Sequence, residues 1–190
     1  MMVKLDVGCG GRGSYLKGFI GIDLWPRPNG KTEQEYIVLD FVKDDLPWAA
    51  GSVSEIVAGH IIEHMSREDG LVLLSRCREL LATGGKLTVT NPDLRIMCER
   101  YLAGDEKFYS KTYKRTGRDV WPGATLGDRL MSAVTQEGHQ RLYDVESLTA
   151  LAREAGWITT RPIRIGDPYH TRRDHETGIV CYRGVIVCPE

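Results

Sequence analysis

The sequence predicts an α/β fold: one mostly parallel seven-stranded sheet, helices on both faces, and an antiparallel hairpin at its C-terminal edge. Three observations predict it. Short β-rich runs alternate with helical periodicities, the first run breaks into a glycine-rich turn, and the last two strand candidates have no helical pattern between them. Strands that alternate with helices must be joined by crossovers, which align them in parallel and cover the sheet on both faces.

In chain order, strands are expected at Val3–Val7, Phe19–Asp23, Tyr36–Leu39, Ser54–Ala58, Lys86–Thr90, Trp157–Ile165 and Gly184–Cys188. A helix is expected over Ser66–Thr83, where Leu73, Leu74, Cys77, Leu80 and Leu81 recur at helical spacing. Ser66 can cap its start and Gly84-Gly85 can stop it. A second helix should follow Asp144, with Leu148, Leu151, Ala152 and Ala155 on one face and Gly156 as terminator. Between the last two strands lies only the polar stretch Asp167–Thr177, too plain for a crossover, so those strands should pair antiparallel. Residues 94–138 are too long for a simple connection; they hold an amphipathic piece (Leu94–Leu102), a basic stretch (Lys107–Arg118) and an apolar segment (Leu126–Val134). An insertion there, at the carboxyl edge of the sheet, reads as a lid or substrate wall on a single domain spanning 1–190.

The 190 residues suit one domain, and 42% hydrophobic with 27% charged residues is ordinary globular composition. Twenty-five basic against 26 acidic residues give a net charge of -1, so no global field favours nucleic acid. The cysteines number five, never as C-x-x-C, which argues against a disulfide framework or zinc ribbon. The start goes straight into a strand without a basic and apolar leader, and no run approaches the ~20 apolar residues of a membrane span. A cytoplasmic location, with no metal, is the expectation.

Gly8-Cys9-Gly10-Gly11-Arg12-Gly13 matches G-x-G-x-x-G, the fingerprint of dinucleotide-binding Rossmann-like sheets. In that device a helix N-terminus faces the pyrophosphate and an acid ~20 residues on holds the ribose. Here Asp23 follows Gly10 by 13 residues. A crossover with its helix needs at least ~10–12 residues, so at most one helical turn fits between the first two strands. The truncation counts against NAD or FAD. A cofactor without phosphates needs only glycines that admit its amino-acid end and an acid for the ribose diol, and S-adenosylmethionine is such a molecule.

With these pieces the sequence resembles the class I S-adenosylmethionine-dependent methyltransferases over about residues 3–160. The matching motifs run in order: LDVGCG (Leu5–Gly10), GIDL (Gly21–Leu24), LDFVKDDLPW (Leu39–Trp48), EIVAGHIIEHM (Glu55–Met65), ELLATGGKLTVTNPD (Glu79–Asp93) and HQRLYDVESLTALAREAGW (His139–Trp157). It is most similar to a small-molecule subgroup with a shortened first helix, associated with sugars and envelope polysaccharide intermediates. The resemblance implies that Asp6, Gly8, Cys9 and Gly10 surround the methionine end and that Asp23 and Leu24 meet the ribose. It places Asp40 and Phe41 at the adenine and Gly59, His60 and Ile61 beside the sulfonium. Residues 11–16 depart from the commoner pattern.

For a hydroxyl acceptor a general base helps, and histidine has the suitable pKa. His139 is the first choice, because the insertion returns to the sheet there; His60, His64 and Asp93 follow. Each histidine also has a plain reading as a hydrogen-bonding structural residue. His60-Ile61-Ile62-Glu63-His64 also matches the H-x-x-E-H of zinc peptidases, which needs both histidines on one helix face; His60 directly follows a strand, which places it in a turn instead. Asn91-Pro92-Asp93 lacks the second proline and aromatic of the N-P-P-Y signature of nucleic-acid amino methyltransferases. The stretch Lys111–Arg118, between Tyr109 and Trp121, reads as a solvated lid or as a grip for phosphate, sugar or base. Arg161, Arg164, Arg172 and Arg173 hint at an anionic small-molecule acceptor, such as a phosphorylated or nucleotide-linked sugar. The alternative of another class is a non-catalytic module that retains the cofactor fold.

Overall fold

In a computed structural model, residues 2–10, 16–26, 35–112, 116–135, 138–163 and 176–184 are described. Seven strands form one sheet: β1 (Val3–Val7), β2 (Ile20–Asp23), β3 (Tyr36–Val38), β4 (Val53–Gly59), β5 (Leu81–Pro92), β6 (Thr159–Pro162) and β7 (Glu176–Tyr182). Their order is β3-β2-β1-β4-β5-β7-β6. All neighbours through β5 are parallel, whereas β7 runs antiparallel to both β5 and β6. The mostly parallel sheet with an antiparallel C-terminal edge is the architecture the sequence predicts.

Central strands β1, β4 and β5 are buried in the middle of the sheet: Leu5, Ile56, Leu87 and Val89 are fully buried, and the polar Asp6, Glu55, Thr88 and Thr90 are buried among them. Against them pack α1 (Arg67–Leu80), capped by Ser66 accepting from the Asp69 N–H, and α5 (Val145–Glu154), capped by an Asp144–Ser147 capping box. Trp157 joins the layers, its indole N–H donating to the Leu74 carbonyl at 3.1 Å. One polar ladder crosses the sheet: buried Glu55 on β4 lies 2.8 Å from Lys4 on β1 and 2.9 Å from Lys86 on β5.

Two boundaries differ from the sequence expectation. The first helix ends at Leu80, not Thr83, because Leu81 pairs with Val53 and is buried in the sheet. Strand burial there outweighs helical periodicity. The last described strand is Glu176–Tyr182, so part of the expected polar connection is strand; of the expected strand Gly184–Cys188, only Gly184 lies within the described residues, as a bend. Residues 164 and 165 of the expected Trp157–Ile165 strand are also outside them.

The segment 94–138 contributes α2 (Leu94–Leu102), α3 (Glu106–Tyr109) and α4 (Leu126–Thr135). They enclose a second apolar cluster of Met97, Phe108, Tyr109, Trp121, Ala133 and Leu142, separate from the main core. Tyr109 is fully buried and its hydroxyl donates to the Met97 carbonyl at 2.6 Å; Trp121 stacks on Phe108 at 5.4 Å. Both flanking aromatics, Tyr109 and Trp121, are core, so neither is presented to a ligand as the grip reading of the basic stretch would have it. Lys111 lies 4.3 Å over the Phe108 ring, a cation–π contact, and residues 113–115 of the basic stretch are outside the described residues. No described helix is long and apolar enough to cross a membrane.

Candidate functional site

The loops after β1, β2, β3 and β4 all leave the carboxyl edge of the sheet. Because β1 has β2 on one side and β4 on the other, chain order reverses at β1, and open α/β sheets bind ligands in the crevice beside such a point. A cavity of about 400 Å³ lies there. Gly8 and Gly10, Asp23 to Trp25, Leu39 to Phe41, and His60, Ile61, His64 and Met65 are in its lining.

The glycine turn is built for close approach. Gly8 and Gly10 both have φ of +71°, a left-handed conformation costly to any residue with a Cβ. A Cβ on Gly8 would also sit 2.6 Å from Ile61 Cδ1. The Gly8 N–H donates to the Ile22 carbonyl at 2.8 Å, and the Gly10 N–H to Asp23 Oδ2 at 2.7 Å, which ties the turn to the end of β2. Asp23 Oδ1 accepts from the Trp25 N–H at 3.3 Å. A carboxylate has about four acceptor sites, so these bonds leave Asp23 capacity for a ligand. Burial, then the charges of Asp6 and Asp23, push the Cys9 thiol up to about 12, so it stays protonated. Residues 11–15, where the shortened helix is expected, lie outside the described residues.

Asp40 holds the next loop together: Oδ1 accepts from the N–H groups of Val42 at 3.0 Å and Lys43 at 3.1 Å, which fixes buried Phe41. Leu24 and Trp25 form the outer rim, and Trp25 is 70% exposed. Sequence reasoning passed over Trp25, although an aromatic two residues beyond the strand-end acid was the available signal.

Past Gly59 the backbone turns sharply. His60 has φ of +55°, a sparsely populated conformation for histidine, stabilised by its N–H donating to the Thr90 carbonyl at 2.9 Å. Its Nδ1 lies 3.0 Å from Glu63 Oε1 and its Nε2 lies 2.5 Å from Glu176 Oε1. Burial pulls the pKa of His60 down, but the bonds to Glu176 and then Glu63 outweigh it and raise it to about 9. Charged at neutral pH, the ring has no lone pair with which to take a proton. The zinc-peptidase geometry is absent, since His60 sits before a three-residue 3₁₀ turn, Ile62–His64, and points to carboxylates. Glu176 reaches this corner because antiparallel β7 pairs Glu176 with Pro92, the last residue of β5.

The chain returns from the insertion at His139. The N–H groups of Gln140 and Arg141 donate to the Glu63 carbonyl at 2.7 and 3.1 Å, and the Gln140 side chain donates to the His64 carbonyl at 2.8 Å. This latch sets the His64 and His139 rings edge to face, centroids 4.7 Å apart. Asp93 is spent elsewhere: it caps α2, accepting from the Ile96 N–H at 3.1 Å. Arg161 is held at the sheet edge by Tyr182 and the Pro162 carbonyl, while Arg164, Arg172 and Arg173 lie outside the described residues.

Comparison with solved structures places the fold. The chain superposes on an S-adenosylmethionine-dependent methyltransferase from Archaeoglobus fulgidus with a TM-score of 0.61 at 12% identity, covering 96% of this chain and 86% of that one. The fold is the class I methyltransferase fold. It likewise matches phosphoethanolamine N-methyltransferase 2 from Haemonchus contortus, in complex with phosphomonomethylethanolamine and S-adenosylhomocysteine (TM-score 0.61, 14% identity, 97% of this chain). Human N-acetylserotonin methyltransferase in complex with S-adenosylmethionine gives 0.56 at 18% identity over 96% of this chain. The chain covers 50% and 48% of those two proteins' lengths. No family model and no curated sequence matches.

Proposed function

We propose that this chain binds S-adenosylmethionine in the crevice and transfers its methyl group to a small-molecule acceptor. One observation carries the reading: among its described residues the crevice presents two carboxylates, Asp23 and Asp40, and neither lysine nor arginine. Among the described lining residues the one cation is His60, already held between Glu63 and Glu176, so a pyrophosphate finds little to pair with, whereas a sulfonium nucleoside finds acids and a glycine cradle. The volume of about 400 Å³ suits a single nucleoside.

In this reading the Gly8–Gly10 turn, with Asp6 beneath it, holds the methionine end; Asp23 and Leu24 hold the ribose; Asp40 and Phe41 border the adenine. Gly59 and Ile61 flank the sulfonium, and His60, locked between Glu63 and Glu176, keeps that corner rigid. The bound cofactor supplies the reactive methyl group, and the protein supplies alignment of the acceptor at ~3 Å in line with the departing sulfur. The acceptor's polar end lies toward His64, which lines the crevice, and His139 beside it. Isothermal titration with S-adenosylhomocysteine tests the assignment. Micromolar, one-to-one binding is expected; no adenosyl binding, or tighter binding of NAD, overturns it. Binding without transfer to any acceptor, followed with methyl-labelled donor, would favour a non-catalytic module.

A further inference from the structure

We propose that Glu63, His64 and His139 form a site for a divalent transition-metal ion of the zinc class at the edge of the crevice. Each offers one ligand atom, and the three atoms lie within 4.8 Å of one another. Two imidazoles and one carboxylate are a ligand set that binds first-row divalent ions with an open position. Donors bonded to one tetrahedral ion at ~2.0–2.1 Å stand ~3.4 Å apart, so closure asks for side-chain movement of about an ångström.

Two further observations point to an ion rather than a chance cluster. Glu63 is fully buried, and while its Oε1 bonds His60, its Oε2 has no hydrogen-bond partner. A buried carboxylate oxygen left unpaired is destabilising, and a bound cation relieves it. The second is the setting of His139. Its Nδ1 lies 3.1 Å from the Ala133 carbonyl; a carbonyl only accepts, so Nδ1 carries the hydrogen and Nε2 carries the lone pair. A backbone carbonyl that fixes the tautomer of a metal-ligating histidine is the usual outer support of such sites. The latch of Gln140 and Arg141 onto Glu63 prearranges the three ligands without a metal.

His64 also lines the crevice, so an ion here faces the acceptor side. An ion held by Glu63, His64 and His139 would act as a Lewis acid, easing loss of the proton of an acceptor hydroxyl to solvent, so that the oxygen could take the methyl group while the cofactor left as the neutral thioether. This role rests on the function proposed above; the metal site does not.

The test is binding of Zn2+ alone, by competition with a chromophoric chelator, to chelator-treated, tag-free protein, with Co2+ absorption as a second readout. One-to-one saturable binding is expected, weakened at least about tenfold in His64→Ala and in His139→Ala. Thermal melts report whether these variants fold. In wild-type protein, Zn2+ should also shift the imidazole 15N resonances of His64 and His139. Failure of one-to-one binding, wild-type affinity retained in either folded variant, or unmoved resonances overturns the site. A parallel S-adenosylhomocysteine titration in chelator keeps this outcome separate from the cofactor reading.

Discussion

Replacing Gly8 with alanine tests whether the turn is shaped by close contact or merely by backbone conformation. At φ of +71° the added Cβ costs about 1–2 kcal/mol in backbone strain. It would also stand 2.6, 2.7 and 2.9 Å from Ile61 Cδ1, Cβ and Cγ1, an overpacking worth about 1–3 kcal/mol more. The total of roughly 2–5 kcal/mol, at about 2–4 °C per kcal/mol for a chain of this size, lowers the melting temperature by roughly 4–20 °C. Gly10 is the internal control: it has the same φ, but a Cβ there meets no described atom within 4 Å, so Gly10→Ala should lose only the strain of about 1–2 kcal/mol. Adding Ile61→Ala to Gly8→Ala should recover part of the loss, since Cδ1 and Cγ1 go while Cβ stays. The assay is thermal unfolding of the four proteins beside S-adenosylhomocysteine titration. Equal losses for Gly8→Ala and Gly10→Ala, or no recovery in the double variant, would refute the argument that Ile61 shapes the cradle.

Three other substitutions bear on separate links. Asp23→Asn keeps one acceptor oxygen but removes the charge, and at about 1.5–3 kcal/mol for a charge-assisted bond should weaken S-adenosylhomocysteine binding by about 10- to 100-fold in calorimetry. Asp144→Ala should cost about 1 kcal/mol at pH 7 through the lost cap of α5. Bonds from Ser147 hold the Asp144 carboxyl below the usual range, so its stabilisation is present above the ordinary carboxylate pKa and lost as pH falls through the folded value. Urea midpoints of wild type and Asp144→Ala should therefore converge toward acid pH. Trp121→Ala, at about 3–5 kcal/mol, should loosen residues 94–135 because that cluster is separate from the main core; hydrogen exchange should show protection lost there and kept in β4 and β5.

Much of the framework was legible because it is written in local patterns. Val3–Val7 and Leu94–Leu102 have the expected bounds, and the Asp144 cap and Gly156 terminator delimit α5 as predicted, since periodicity and capping act within a few residues. Errors fall where long-range pairing overrules them. Leu81 leaves its helix for a strand partner, and Glu176 looks like loop until β5 claims it. Tyr109 and Trp121 sit in a basic, polar stretch that suggests a surface, yet they fill a core that only the packing of α2, α3 and α4 creates.

By itself the sequence determined the alternating strands and helices, the glycine turn and the acid at the end of the second strand. These depend on residue chemistry at short separation, where backbone sterics and hydrophobic period decide. Tertiary structure alone decided what stands around His60, His64 and His139. Glu176 meets His60 across 116 positions of chain because an antiparallel register puts it there. His139 meets His64 because two backbone amides find the Glu63 carbonyl. Neither juxtaposition leaves a periodic trace, since each is fixed by the docking of elements whose own patterns say nothing of their neighbours.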